Sequence, residues 1–266
     1  MEKIALIAGN GNLPIVSALA AKKAGAYIVI IAIKEEADKQ LSDIADKIYW
    51  ISVGQFKTLI NILKKEDIKK AIMVGQIKHK LLFSKIELDF ELTKLLFTLK
   101  DKKTDTILGA IAQRISQLGI EMLDSSTFIK DHLASLGVLT AKQPSKEQCA
   151  DIEFGRIIAK QIAGLDIGQT VVVKDKVVLS VEAIEGTDEA IRRANKYCQG
   201  NAVVVKVSKP NQDMRFDIPL IGLKTIEILI QEKVAVLAIE ANKTLFLDKD
   251  LVLELANKNN IVIIAG

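Results

Sequence analysis

KIALIAGNGNLPIVSALAAKK (3–23), followed closely by YIVIIAI (27–33), sets the architecture of the first half of the chain. Residues 3–8 form a short apolar run that exits into glycines and reads as a buried strand. Pro14 falls in the first turn of the next segment, where a missing N–H costs nothing, and a helix is expected to run to about Lys23. The alternation then repeats. YIVIIAI is a second strand and KIYWISV (47–53) a third; a helix carrying Leu59, Ile62 and Leu63 opens after Gly54 and Gln55, and KAIMVG (70–75) is a fourth strand. Strands alternating with helices at this spacing build a parallel sheet. The expected fold class is α/β: an N-terminal Rossmann-like parallel-sheet domain followed by a mixed α/β C-terminal domain.

Ligands of such sheets lie outside the carboxyl ends of the strands. That rule places Gly9, Asn10, Gly11, Gly54, Gln55, Gly75 and Gln76 on one rim, with Gly9, Asn10, Gly11, Gly75 and Gln76 as candidate substrate contacts. The Gly9–Gly11 turn suits backbone approach to a phosphate, but the third glycine of a dinucleotide fingerprint is replaced by Pro14. A tight turn without ligand competes with the phosphate reading. Glu35, after the second strand, meets either a ribose hydroxyl or solvent. His79, between Lys78 and Lys80, and His132 are the two histidines, too few for a histidine-rich metal site.

With 266 residues the chain can bury a large core and is expected to hold two domains. The net charge of +4 suits anionic ligands or an anionic membrane surface. No basic run is interleaved with aromatics, so nucleic acid is not an expected partner. Cys149 and Cys198 lie in helical patterns and read as buried or half-buried free thiols of a reducing compartment. The amino terminus reads as strand and loop, no apolar run reaches the roughly 20 residues of a membrane span, and a cytoplasmic location is expected.

LLFSKIELDFELTKLLFTLK (81–100) carries two apolar stripes. Leu88, Leu92, Leu95, Leu96 and Leu99 follow a core-facing helical spacing. Phe83, Ile86, Phe90 and Phe97 form the second stripe, which packs against the other domain or a second subunit, or else serves acyl chains or a membrane surface. A further helix is expected from KDKKTD (100–105) to about Leu118. Periodicity lapses from Ser125 to Lys146, and the division drawn is 1–130, a linker region at 131–146, and 147–266.

In the second half, QTVVVKDKVVLSVEAI (169–184) reads as a hairpin turning at Lys174–Lys176, with Gly186 ending its second strand. Thr187 is the expected N-cap of a helix beginning at Asp188. VVVKVSKP (203–210) reads as a buried strand entering a loop that ends at Asp217-Ile218-Pro219, and helical spacing resumes across LIGLKTIEILIQ (220–231). Glu182, Glu185, Asp188 and Asp217 alternate here with Arg192, Arg193, Lys206, Lys209 and Arg215. Acids in a first helical turn stabilise it on their own account. The sharper reading sets a divalent cation between the acids and a phosphorylated ligand, as magnesium is commonly held by one or two carboxylates plus phosphate oxygens.

DIGQ (166–169), VEAIEGTDEAIRRA (181–194), KVSKPNQDMRFDIPLIG (206–222) and the opening GNGNLP together resemble the LpxI-type UDP-2,3-diacylglucosamine pyrophosphatases of bacterial lipid A synthesis. The likeness runs from end to end, dense over 166–222 and sparser in the first half. It implies cleavage of UDP-2,3-diacylglucosamine to UMP and 2,3-diacylglucosamine 1-phosphate (lipid X), magnesium as cofactor, and water attack on the uridine-side phosphorus. It also implies that the essential aspartate is Asp217, in the intact pattern Arg215-Phe216-Asp217-Ile218-Pro219. Glu182 and Asp188 are the further metal candidates, and Thr187, Lys206, Lys209 and Arg215 the candidate phosphate contacts. Two other readings stand beside it: a dinucleotide-dependent oxidoreductase built on the Gly9–Gly11 turn, and a non-catalytic nucleotide-sugar-binding protein.

Overall fold

The computed structural model describes residues 1–77, 87–101, 103–216 and 218–266, so the readings at Lys78, His79, Lys80, Phe83, Ile86 and Asp217 lie outside the described residues. The chain divides into two compact units, Met1–Lys130 with Asp213–Asp217, and Asp131–Gln212 with Ile218–Gly266. The short stretch 213–217, which patterning assigns to the second domain, thus clusters with the first unit.

Unit 1 runs β1 (Lys3–Ala8), α1 (Leu13–Lys23), β2 (Tyr27–Ile33), α2 (Leu41–Ile44), β3 (Lys47–Ile51), α3 (Phe56–Lys65), β4 (Lys70–Val74), α4 (Phe90–Phe97), α5 (Thr104–Ser116) and β5 (Glu121–Leu123). The strands pair in the order β3-β2-β1-β4-β5, all parallel. That is a doubly wound sheet whose order reverses between β1 and β4. β5 escapes sequence reading because three residues carry no period. α4 buries Leu92, with Leu95 and Leu96 partly packed on the core, and leaves Phe90 and Phe97 exposed. Leu88, expected in the core stripe, is exposed because it precedes the helix, whose N-cap is Asp89.

The reversal point is stitched shut by backbone. Asn10 N–H donates to Gln76 O (2.8 Å), Gln76 N–H to Asn10 O (3.1 Å), and Gly9 N–H to Val74 O (2.9 Å). Such proximity leaves no room for side chains. A Cβ on Gly75 would lie 2.7 Å from Asn10 O and 2.9 Å from Pro14 Cγ, and Gly75 has φ +88°, where L-residues are strained.

Unit 2 contains β6 (Gly137–Val138), α6 (Lys146–Gly164), β7 (Thr170–Lys174), β8 (Val177–Val181), α7 (Thr187–Cys198), β9 (Val203–Lys206), β10 (Leu220–Ile221), α8 (Leu223–Gln231), β11 (Val236–Ile239), β12 (Leu245–Phe246), α9 (Lys249–Lys258) and β13 (Val262–Ala265). Six strands pair as β6-β13-β11-β9-β7-β8: β9, β11 and β13 are parallel, while β7 runs antiparallel to both neighbours and β6 antiparallel to β13. β10 and β12 form a separate parallel pair. The hairpin turns at Asp175 and Lys176, both at positive φ, as a two-residue turn between twisted strands requires.

Both faces of this sheet are covered, so its strands read as unbroken apolar runs. Val203 and Val205 meet α6 through Ile152, Ala159 and Ile162; Val204 faces the cluster of Ile191, Leu229 and Val252 from α7, α8 and α9. A Cβ on Gly155 would fall 2.8 Å from Val205 Cγ2, so glycine seats α6 on the sheet.

Four further expectations change. Residues 131–146, read as a linker, include β6, and Ala134 N–H and Leu139 N–H donate to Thr244 O and Ile263 O within unit 2. Ile221 lies in β10 and not in the helix, which begins after the extended Gly222. Thr187 is the first residue of α7; Gly186, at φ 87°, holds the cap position. Cys149 is exposed, on the outer side of α6.

Two tests follow from this packing. Gly75→Ala should cost about 2–4 kcal/mol through strain and overpacking, read by urea unfolding. Glu66, buried in unit 1, accepts from Lys47 Nζ and Tyr49 Oη, both at 2.6 Å, and these bonds lower its pKa from 4.5 to about 2. A depressed carboxyl pKa stabilises the fold above the unfolded value and the benefit is lost as pH falls through the folded one. The stability gap between the wild type and Glu66→Gln should be constant above about pH 5 and close as pH falls from there toward 2.

Candidate active site

In unit 2 the candidate residues gather where β9 ends. Lys206 Nζ donates to Thr187 Oγ1 (2.9 Å), and the same hydroxyl donates to Glu182 Oε1 (2.9 Å). The other oxygen of Glu182 accepts from Gln169 N–H (3.2 Å), and Thr170 Oγ1 lies 3.3 Å from Thr187 Oγ1. Three expected site residues, Glu182, Thr187 and Lys206, therefore form one hydrogen-bonded chain from cation through hydroxyl to carboxylate. Thr187 does this as the first residue of α7.

Beyond Lys206 each residue of the exit has its own partner. Val207 N–H donates to Gln169 O (2.9 Å). Ser208, fully buried, gives its N–H (2.5 Å) and its hydroxyl to Glu240 Oε2. Lys160 Nζ lies 2.7 Å from the same carboxylate oxygen and donates to Ser208 O at 2.9 Å. Lys209 Nζ pairs with Asp166 at 2.6 Å, with only 11% of its side chain exposed. Burial alone would raise the pKa of Glu240; the bonds from Lys160 and Ser208 outweigh it and hold the carboxyl below its ordinary value.

The segment DIGQ earns its composition here. Asp166 sits at φ 59° and pairs with Lys209, and a Cβ on Gly168 would lie 2.1 Å from Glu182 O. Asp166, Lys160, Ser208 and Glu240 were not singled out from sequence. For Glu240 a signal existed: an acid directly after the apolar run AVLAI marks the carboxyl end of a buried parallel strand.

Other charges do not join this cluster. Asp188 pairs with Lys224 (2.5 Å), Glu185 with Arg193 (2.8 Å), and Glu189 with Arg192 along one helix face. Among the described residues no three or more His, Cys, Asp or Glu side chains are grouped so as to hold a metal ion.

Arg215 belongs to unit 1, whereas Lys206 and Lys209 belong to unit 2. Its guanidinium forks onto Asp213, Nε to Oδ1 at 2.9 Å and Nη2 to Oδ2 at 2.6 Å, which raises the arginine's pKa and lowers the aspartate's. The backbone here is docked on the carboxyl ends of β4 and β5. Ser125 N–H donates to Met214 O (2.8 Å), and the buried Ser125 hydroxyl lies 2.7 Å from Met73 O and 2.8 Å from Arg215 O. Phe216 is buried in the same core as Met73 and Ile115. Of the first-half rim, Gly9, Asn10, Gly75 and Gln76 meet one another through backbone, and Gly11, at φ +93°, has open space around it. Glu35 turns its carboxylate to the Ser52 hydroxyl and to Val53 N–H (3.2 Å).

Comparison with known proteins gives two adjoining matches to family models, the LpxI N-terminal domain over residues 3–132 and the LpxI C-terminal domain over 135–264. A curated relative, UDP-2,3-diacylglucosamine pyrophosphatase LpxI of Caulobacter vibrioides, is 30% identical over 270 residues, covering 97% of this chain and 95% of the relative. The N-terminal model spans nearly the whole of unit 1's main segment, and the C-terminal model nearly the whole of unit 2. Among solved structures, the biotin carboxylase subunit of pyruvate carboxylase matches at TM-score 0.30 and 12% identity over 76% of this chain and 41% of that one. N5-carboxyaminoimidazole ribonucleotide synthetase from Thermotoga maritima matches at 0.29 and 14%, over 65% and 34%. The chain spans less than half the length of either structure.

Thr187→Val keeps the shape and removes the hydroxyl that links Lys206 to Glu182. Leaving both partners short of a bond should cost about 1–3 kcal/mol in urea unfolding. Loss of under about 0.3 kcal/mol would mean that the chain of bonds carries no stability.

Proposed function

The chain belongs to the LpxI family, and from that premise we propose that it hydrolyses the pyrophosphate bond of UDP-2,3-diacylglucosamine in lipid A biosynthesis, releasing UMP and 2,3-diacylglucosamine 1-phosphate. Two family models covering nearly the whole chain carry this reading. Neither an oxidoreductase nor a non-catalytic sugar-nucleotide binder has a comparable observation behind it.

The residues fit the chemistry. A diphosphate needs cations, and Lys206, at the end of β9, and Lys209, three residues on, supply two side-chain donors. Arg215 presents a fork suited to two phosphate oxygens, held until then by Asp213. Asp217, within the pattern Arg215–Pro219, is assigned the essential carboxylate, either holding the metal ion or orienting the attacking water. Thr187 is assigned to the phosphate end of the substrate.

Magnesium is the proposed cofactor, and the donors present fit it unequally. Glu182 spends its two oxygens on one hydroxyl and one backbone N–H, which leaves lone pairs available on a hard carboxylate ligand. Asp188 fits less well, because Lys224 already neutralises it. This suits an ion held by one or two carboxylates and the substrate's own phosphates, not a protein cage. Bound in that way, magnesium would neutralise the charge that develops on the leaving phosphate.

No helix among the described residues is long and apolar enough to cross a membrane. The exposed Leu88, Phe90 and Phe97 around α4 suit peripheral contact of a cytoplasmic protein with the inner membrane, where a diacylated substrate resides.

Purified protein incubated with UDP-2,3-diacylglucosamine and magnesium should release UMP, and in heavy-oxygen water the label should enter UMP. Asp217→Ala should lose more than about 100-fold in rate while still binding substrate, and excess chelator should abolish turnover. Full turnover by that variant would remove the assigned carboxylate; saturable binding with no UMP would leave a binding protein.

A further inference from the structure

We propose that Glu240 is a positioning residue for this hydrolysis: with Lys160 it sets the geometry of Ser208 and thereby aims the phosphate-binding side chain of Lys209. The inference rests on the hydrolase reading above and adds a residue to it. Glu240 Oε2 receives the N–H of Ser208 at 2.5 Å together with its hydroxyl, and Lys160 Nζ bridges Glu240 (2.7 Å) and Ser208 O (2.9 Å). Donor and acceptor of one backbone residue are thus gripped from both sides by an ion pair whose carboxylate is nearly buried. Ser208 is fully buried, and Lys209 follows it directly.

An arrangement of this kind is costly for packing alone, since well-packed apolar side chains fill such a space at least as well. Its specific effect is directional: three donors converge on one oxygen, so the backbone between β9 and Lys209 has a single low-energy course. The charge is essential to that convergence and the volume is not. Glu240 touches no reacting atom; it acts through Ser208 and Lys209.

Glu240→Gln keeps the volume and removes the charge. Its kcat for UMP release should fall between about 10- and 100-fold, with KM within about threefold of the wild type. Glu66→Gln, which weakens an ion pair at the amino ends of the unit 1 strands, opposite that sheet's carboxyl rim, serves as a stability control and should leave kcat unchanged where both variants are folded. If Glu240→Gln does not fold, Ser208→Ala, which removes one of the three donors, should show the same kcat-selective loss at a smaller size. A folded Glu240→Gln (or, in its place, Ser208→Ala) with kcat within twofold of an active wild type overturns the proposal alone, as does an equal kcat loss in Glu66→Gln. Absence of UMP from the wild type overturns the hydrolase reading and this inference with it.

Discussion

The attachment of Met214–Phe216 to the first unit is the constraint on which the account depends. One buried serine makes it: the Ser125 N–H donates to Met214 O, and its hydroxyl lies 2.7 Å from Met73 O and 2.8 Å from Arg215 O. Phe216 completes it by entering the apolar core beneath the parallel sheet. Apolar burial of one aromatic ring is worth about 2–3 kcal/mol, and the hydrogen bonds add direction to it. A motif distant in sequence from β4 and β5 is thereby part of the unit they build. Carboxyl ends of parallel strands are where such folds present ligands, which gives this placement its functional weight.

Unit 2 solves a similar problem with charge. The exit of β9 would be an ordinary loop were it not fixed residue by residue, Lys206 by Thr187, Ser208 by Glu240 and Lys160, Lys209 by Asp166. Each partner comes from a different element. Cations set close together at a strand end repel one another and need such partners to remain ordered.

Much of the fold was legible in the residues. Continuous apolar runs flanked by glycine gave β1, β2 and β4, and the Lys174–Lys176 turn gave the hairpin, because burial on both faces and turn chemistry leave strong local marks. β5 and β6 left none, being three and two residues long and defined by their neighbours. Thr187 was placed one position too early because its hydroxyl, chemically suited to a cap, is used instead between Lys206 and Glu182. The site was legible in part. Glu182 and Lys206 are joined through the Thr187 hydroxyl, in keeping with the alternating charge pattern, but the carboxylate partners of Ser208 and Lys209 lie 32 and 43 residues away in sequence, respectively, and no local pattern reports such pairings. Asp188 shows the converse: a first-turn acid that looked like a ligand is satisfied by Lys224.

Amide hydrogen exchange at Ser125 tests the central claim directly, because that N–H has one partner, Met214 O. Exchange through global opening only, as slow as the amides of β4, is the predicted result. Exchange at the rate of an exposed loop would show that 213–216 is not part of the first unit, and the account of how the Arg215–Pro219 motif is presented would fail.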